Sequence, residues 1–395
     1  MIHGIRYLPL FGIFLGLLGM HFRMAQWACA SRWCSGMPLL RRLIYVLTCS
    51  LSACLAAGIF VGAPSISALC PSGSWFSWFR AATLGWALVS IGVFLAFFLW
   101  RHAPTHNPGR RNLLRATGAA LAATPLGATA FGIVVERRSF RIQEVTIYVP
   151  ELPRDLEGLR LVQLSDIHLG PFLGPADLAR VVDMSNEVHA HLALVTGDLI
   201  TSKGDPLDLC LQHLARLRAE AGILGCLGNH EGYTHLENET VRLGAKLGVR
   251  FLRKQALTLP FGQATLNVAG VDYQSYYRPY LRKAERLIDP DSFNVLLSHN
   301  PDVFPVAARQ GWNLILAGHT HGGQVNVEIF DQPLNLARFY TPFVYGLYRR
   351  GASSIYVSRG IGTVGIPARI GAPPEIALVR LSGSGTLLAR KQQHS

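Results

Sequence analysis

Leu314-Ile315-Leu316-Ala317-Gly318-His319-Thr320-His321-Gly322-Gly323-Gln324 runs four apolar residues straight into a glycine and two histidines. So short an apolar run reads as a strand buried on both faces. In open α/β sheets, ligands sit at the carboxyl ends of such strands. Four further blocks share this grammar. The apolar stretches 159–164, 192–195, 222–227 and 294–297 lead into Ser165-Asp166-Ile167-His168, Thr196-Gly197-Asp198, Leu227-Gly228-Asn229-His230-Glu231 and Leu297-Ser298-His299-Asn300-Pro301.

Outward from these blocks, strand patterns recur at 143–149, 265–271, 324–327, 354–357 and 376–379, with Val145, Ile147 and Val149 on one face of the first. Helical spacing appears after Pro175 through Leu178, Val181, Val182 and Val188, and again over 206–218 and 236–247. The alternation predicts a layered α/β domain with a partly parallel sheet. No internal repeat or low-complexity segment interrupts it.

A lone Asp after a strand is usually a turn or cap, and a lone His a core or surface residue. Five blocks at one set of strand ends point instead to chemistry. Carboxylate oxygen and imidazole nitrogen suit Mn, Fe or Zn, and a set without Cys argues against thiolate and iron–sulfur sites. Extended geometry puts Asp166 and His168, and likewise His319 and His321, on one side of the chain. Cys210 and Cys226, the two cysteines beyond residue 150, read as small core residues.

Taken in order, the D-x-H, G-D, G-N-H-E, H and G-H-T-H blocks resemble the calcineurin-like metallophosphoesterases over about residues 145–380. Ala317–Gln324, Ser358-Arg359-Gly360-Ile361-Gly362 and Pro373-Pro374-Glu375 resemble the membrane-anchored group of that family. The resemblance implies a β-sandwich flanked by helices and two divalent metal ions. Asp166, His168, Asp198 and His321 would hold one ion, and Asp198, Asn229, His299 and His319 the other. Asp198 is then the bridge, and a water of lowered pKa the nucleophile. His230 would stabilise the phosphoryl oxygens or protonate the leaving alkoxide. Many relatives read G-D-x-x-D, but here Thr201 fills the last position. Gly204-Asp205-Pro206-Leu207-Asp208 also matches that pattern, yet it lacks a preceding apolar run and reads as a helix start. Arg359 and Arg369 are expected as phosphate partners, since a guanidinium fork fits phosphate bidentately. Tyr276, Tyr277, Tyr280, Phe339, Tyr340, Phe343, Tyr345 and Tyr348 read either as core or as an apolar rim towards a membrane or acyl chain.

The first third of the chain has another character. Of 395 residues, 50% are apolar and 15% charged, and the net charge is +13. Residues 1–150 contribute net +11 and hold no Lys, and no acidic residue occurs before Glu136. Arg clusters between apolar runs resemble membrane topology signals more than a nucleic-acid patch, so no nucleic-acid-binding module is expected. Segments 7–22, 43–63, 81–100 and 116–135 lack Asp, Glu, Lys and Arg and predict about four transmembrane helices. Arg-rich loops between the outer pairs stay cytoplasmic and place the following domain outside the cytoplasm. Gly109-Arg110-Arg111-Asn112-Leu113-Leu114-Arg115 also resembles a twin-arginine export signal, with Ala128-Thr129-Ala130 as a cleavage site.

The expected architecture is thus a membrane domain over 1–138 and a metallophosphoesterase domain over 139–395. The expected activity is hydrolysis of a phosphodiester or lipid-linked phosphate at the surface of a bacterial-type inner or plasma membrane. An inactive metal-stabilised scaffold coupled to the helices is the alternative. Complete ligand blocks and His230 weigh against it.

Overall fold

The computed structural model describes residues 8–31, 34, 36–60, 74–102, 108–275, 279–329 and 332–383. It divides into two compact units, Met1–Ile133 with Gly365–Pro367 and Val134–Val364 with Ala368–Ser395.

The first unit is helical: α1 (Leu8–Cys29), α2 (Pro38–Phe60), α3 (Ser74–Arg101) and α4 (Pro108–Val134). Pro38 and Pro108 open their helices, where a missing N–H costs nothing. The first three are tied by a buried polar contact. His21 of α1 lies 3.2 Å from Ser52 Oγ of α2 through Nδ1 and 2.9 Å from Ser90 Oγ of α3 through Nε2. Among the described residues, two helices are long and apolar enough to cross a membrane, Pro38–Ile59 and Trp75–Arg101. The expectation of about four spans is corrected accordingly. The second half of α1 carries His21, Arg23 and Gln26, and α4 opens with Arg110, Arg111 and Arg115 and continues largely in Ala, Gly and Thr. Residues 7 and 61–63 of the expected runs lie outside the described residues.

The second unit holds two six-stranded sheets. The first comprises β1 (Arg141–Tyr148), β14 (Glu375–Ser382), β2 (Arg160–Leu164), β3 (Leu192–Thr196), β4 (Ile223–Cys226) and β5 (Val249–Phe251), in that spatial order. The second is β12 (Gly346–Arg350), β13 (Ser353–Val357), β9 (Leu314–Ala317), β8 (Phe293–Leu297), β7 (Ala264–Gly270) and β6 (Gln255–Phe261). A ribbon of β10 (Asn326–Ile329) and β11 (Gln332–Asn335) stands apart. From β2 to β5, and from β7 through β9 to β13, neighbours run parallel.

Alternation within each strand divides the core into layers. Leu161, Leu192, Leu194 and Leu224 from the first sheet meet Leu266, Val268, Val295, Leu297, Leu314 and Leu316 from the second in one apolar cluster. The intervening Val162, Leu164, Ala193 and Val195 pack with Leu178, Val181 and Val182 of α5 (Pro175–Glu187) and with Leu211 and Leu214 of α6 (Leu207–Leu214). Ala269, Leu296, Ile315 and Ile355 turn outward from the second sheet onto Phe304 and Ala307 of α9 (Phe304–Gln310) and the fully buried Trp312. With both faces covered, these strands read as unbroken apolar runs rather than alternating ones.

Parallel register brings the strand ends level. Leu164 pairs with Val195, Thr196 with Cys226, and Leu316 with Leu297. All five chemistry-bearing blocks therefore emerge at carboxyl ends of parallel strands.

Asn294, nearly buried on β8, ties the second sheet to the preceding turn. Its Nδ2 donates to Asp289 O and Ser292 O, both at 2.8 Å, and its Oδ1 accepts from Asp289 N at 2.9 Å and Asn267 Nδ2 at 2.8 Å. Asn294→Ala leaves these buried groups without their partner, and we expect a loss of about 2–3 kcal/mol, measured as a lowered urea midpoint with an unchanged slope.

Candidate metal centre

Each loop that leaves a parallel strand carries one part of the site. After β2, Asp166 N–H donates to Gly197 O at 3.1 Å and His168 N–H to Asp198 O at 3.0 Å, so the first two loops run side by side. After β9, His319 N–H donates to both Asp166 carboxylate oxygens at 3.0 Å. After β4 comes α7 (Asn229–Thr234), and His230 N–H donates to Asp198 Oδ1 at 2.9 Å.

This backbone lacing forces unusual conformations. Asp166 (φ 52°), His168 (φ 49°), Asp198 (φ 57°), His319 (φ 76°) and His321 (φ 53°) all occupy the left-handed region. Each costs about 1–3 kcal/mol for a residue with a Cβ. Five such residues share one edge of the fold, where the surrounding hydrogen bonds hold them. Gly318 is required for a simpler reason: a Cβ there would stand 1.9 Å from Ser165 Oγ and 2.3 Å from Asp166 Oδ2.

The side chains converge. His168 Nε2 lies 3.2 Å from His321 Nε2 and 3.5 Å from Asp198 Oδ2, and His321 Nε2 lies 3.3 Å from Asp166 Oδ1. His299 Nε2 is 3.0 Å from Asp198 Oδ2 and 3.9 Å from Asp166 Oδ1. Asp166, His168 and His321 form one potential metal-holding group, and Asp198, His299 and His319 another. A third joins His168, Asp198 and His230. Asn229, also buried, leaves its Oδ1 without a hydrogen-bond partner.

Second contacts fix the rings. His299 Nδ1 lies 2.6 Å from Thr196 O and His230 Nδ1 lies 2.7 Å from Thr201 O. A carbonyl only accepts, so both rings carry the proton on Nδ1 and present Nε2 inward. Thr201 Oγ1 stands 3.1 Å from His168 Nδ1. This second-contact pattern is typical of metal-binding imidazoles. An all N/O donor set, rings poised Nε2 to Nε2, and an orphaned buried amide oxygen together fit divalent cations.

Electrostatics agree. Burial pushes Asp198 up, but the rings of His299, His230 and His168 overcome it and hold this carboxyl well below its usual range. His299 is likewise disfavoured as a cation by burial, yet Asp198 and Asp166 raise it to about 10. Burial and neighbouring rings depress the other histidines: His168 well below 6.5, His321 below it, and His319 to about 4.

Residues 159–323 match the model of the calcineurin-like phosphoesterases. An uncharacterised metallophosphoesterase of Bacillus subtilis, YkuE, is 31% identical over 287 residues, which cover 70% of this chain and 98% of that protein. The chain belongs to the calcineurin-like phosphoesterases. It is also similar to two vertebrate proteins named transmembrane protein with metallophosphoesterase domain. That of Danio rerio is 32% identical over 64% of this chain and 59% of the relative. That of Bos taurus is 32% identical over 70% of this chain and 64% of the relative. The chain thus spans about three fifths of the length of these two relatives.

Other expected residues fall differently. Arg369 is fully buried, and its guanidinium donates to the carbonyls of His321, Arg359, Gly360, Gly362 and Ala372. Its expected role as a phosphate partner is corrected to that of a clamp on these loops. Arg359 stacks over Tyr345 at 4.3 Å and pairs with the buried Glu375 at 2.9 Å. Among the aromatics, Phe339 and Tyr340 are 79% exposed, whereas Tyr280, Phe343 and Tyr348 pack on the second sheet's outer core. Tyr276 and Tyr277 lie outside the described residues.

Two residues escaped notice in the sequence. Glu231, fully buried, accepts the N–H groups of Asp198 (3.0 Å), Leu199 (2.7 Å) and Gly228 (2.7 Å) and so binds the loops after β3 and β4 together. Its place in G-N-H-E was the only signal. Tyr273 brings its hydroxyl to 3.4 Å from His319 Nε2; nothing in its surrounding sequence marks it.

The depressed histidines set an acid limit on the metal-free protein. In the unfolded chain they protonate near 6.5, whereas the fold keeps them neutral to lower pH. Stability therefore falls as pH drops below about 6.5 towards 4, by on the order of 1.4 kcal/mol per unit for each histidine kept neutral. His299 is protonated in both states throughout this window and adds no slope. We expect the melting temperature of chelator-treated protein to fall steeply from pH 6.5 to 4.5 in calorimetry, and loaded protein to release metal over the same range.

Proposed function

We propose that this chain is a membrane-anchored hydrolase of phosphoesters, with a phosphodiester or lipid-linked phosphate as substrate and two divalent cations in the ligand cluster. The observation that carries the reading is the convergence of Asp166, His168 and His321, and of Asp198, His299 and His319, each group with its ligand atoms within 4.8 Å of one another, at the carboxyl ends of strands from both sheets. Bound there, two cations would polarise a phosphoryl group and lower the pKa of an attacking water.

The chain's own residues account for the rest. Asp198 Oδ2 faces His168 on one side and His299 on the other, the position of a ligand shared between two sites. Asn229 Oδ1 completes the His299 side, which explains a buried amide oxygen without a protein partner. His230 is tied down at Nδ1 and half-buried, so its Nε2 can hold a phosphoryl oxygen or pass a proton to the departing alkoxide. Arg359, parked on Glu375 and Tyr345, remains a phosphate partner only by exchanging that ion pair.

The anchor keeps the site near a bilayer, which favours substrates held there. We place the phosphoesterase unit outside the cytoplasm of a bacterial-type inner or plasma membrane. That placement rests on the resemblance of Gly109–Arg115 to a twin-arginine export signal; the two qualifying helices alone return the chain to the Arg-rich side. A β-lactamase joined after residue 383 should confer ampicillin resistance, and a sensitive strain with stable fusion protein would put the unit inside.

Mn-loaded full-length protein should bind two ions and turn over bis(p-nitrophenyl) phosphate. We expect Asp198→Ala to lose metal and activity together. His230→Ala should keep both ions while kcat for methyl phenyl phosphate, whose leaving group needs a proton, drops by about 10²–10⁴. Elemental analysis beside the assay separates these outcomes. Two ions without turnover of the diester or of p-nitrophenyl phosphate would favour the scaffold instead.

A further inference from the structure

Where relatives carry the last carboxylate of G-D-x-x-D, this chain has Thr201, so the ring of His230 rests on a peptide carbonyl. A carbonyl orients a ring only as well as its own peptide is held. The Thr201 peptide is held from one side chain. Asp205 Oδ2 accepts Thr201 N–H at 3.0 Å and Ser202 N–H at 2.8 Å, while Asp205 N–H donates back to Ser202 O at 3.1 Å. The carboxylate lies against Gly170, where a Cβ would stand 3.0 Å from its Cγ. Thr201 also reaches His168 through Oγ1, so this one turn sets both a candidate ligand and His230. Asp205 belongs to none of the potential metal-holding groups.

We infer that Asp205 is the positioning residue of His230, acting through the Thr201 peptide in place of the missing carboxylate. The inference rests on the catalytic reading of His230 given above. A carboxylate one turn further along the chain restores the support that Thr201 gave up, with a peptide group inserted between acid and ring.

The test compares leaving groups, because p-nitrophenolate departs unaided whereas phenolate needs a proton. Metal-loaded full-length protein would be assayed on methyl p-nitrophenyl phosphate and methyl phenyl phosphate. Asp205→Ala should cut kcat for the phenyl ester on the order of 30-fold and for the p-nitrophenyl ester by no more than about threefold, with KM and metal content unchanged. Asp205→Asn keeps an acceptor for both N–H groups and should stay within about threefold of the parent on both esters. Asp205→Ala should add little in a His230→Ala background, since both changes disable one device. If the alanine variant does not fold, Asp205→Ser, too short to reach both N–H groups, replaces it.

Equal losses on the two esters, or losses that add fully to those of His230→Ala, would reduce Asp205 to a structural turn residue and overturn the inference. If His230→Ala shows no leaving-group dependence, the catalytic reading of His230 fails first, and that result is distinct. A readout without turnover completes the design. In histidine-labelled protein the Nδ1 proton of His230 should resist exchange in the parent and in Asp205→Asn and exchange freely in Asp205→Ala; protection in the alanine variant would equally sink the inference.

Discussion

A strand covered on both faces must satisfy every polar side chain it carries, and it carries most of them where it stops. Everything about the candidate centre follows from that constraint. β2, β3, β4, β8 and β9 lie between a helix layer and the facing sheet, so their interiors are dominated by Leu, Val, Ile and Ala, with Gln163 and Asn294 as hydrogen-bonded exceptions, and the chemistry gathers at the carboxyl ends. Parallel register then makes those ends neighbours. The loops are laced by backbone hydrogen bonds, by Glu231 between β3 and β4, and by Arg369 beneath the segment after β13. These two buried charges have opposite signs and the same task. Each replaces water for several peptide groups in loops too short and irregular to satisfy themselves.

That arrangement explains the strain. The extended geometry expected for these ligand pairs gives way to left-handed φ at Asp166, His168, His319 and His321, so each loop bends at the ligand itself. The cost is offset by rigid contacts on all sides, which leaves the donor atoms fixed before any cation arrives.

The doubly buried strands and their terminal blocks were legible because apolar runs and abrupt polar stops are strong local signals. The edges of the sandwich were not. β6 is half-exposed and contains Pro260, β12 ends in two arginines, and β5 has three residues; none shows the run or the alternation that marks a strand. The seven residues of α9 are too few for a helical period. β10 begins later than its pattern suggests because His321–Gly323 closes a turn first. Arg369 was misjudged since exposure is a tertiary property, and Asp205 was set aside because its use depends on a peptide four residues away. In the helical unit, counting uncharged residues overestimated the spans, since polar His, Gln and Thr and small Ala and Gly lower hydropathy without adding charge.

Cys210 and Cys226 sit in different layers of the core, one with the helices outside the first sheet and the other inside the sandwich. Burial pushes both thiols far above the ordinary range, so neither is a nucleophile. With the first sheet between them, they do not form a bridge in the native fold. The fold of this second unit accordingly rests on no disulfide between its two cysteines.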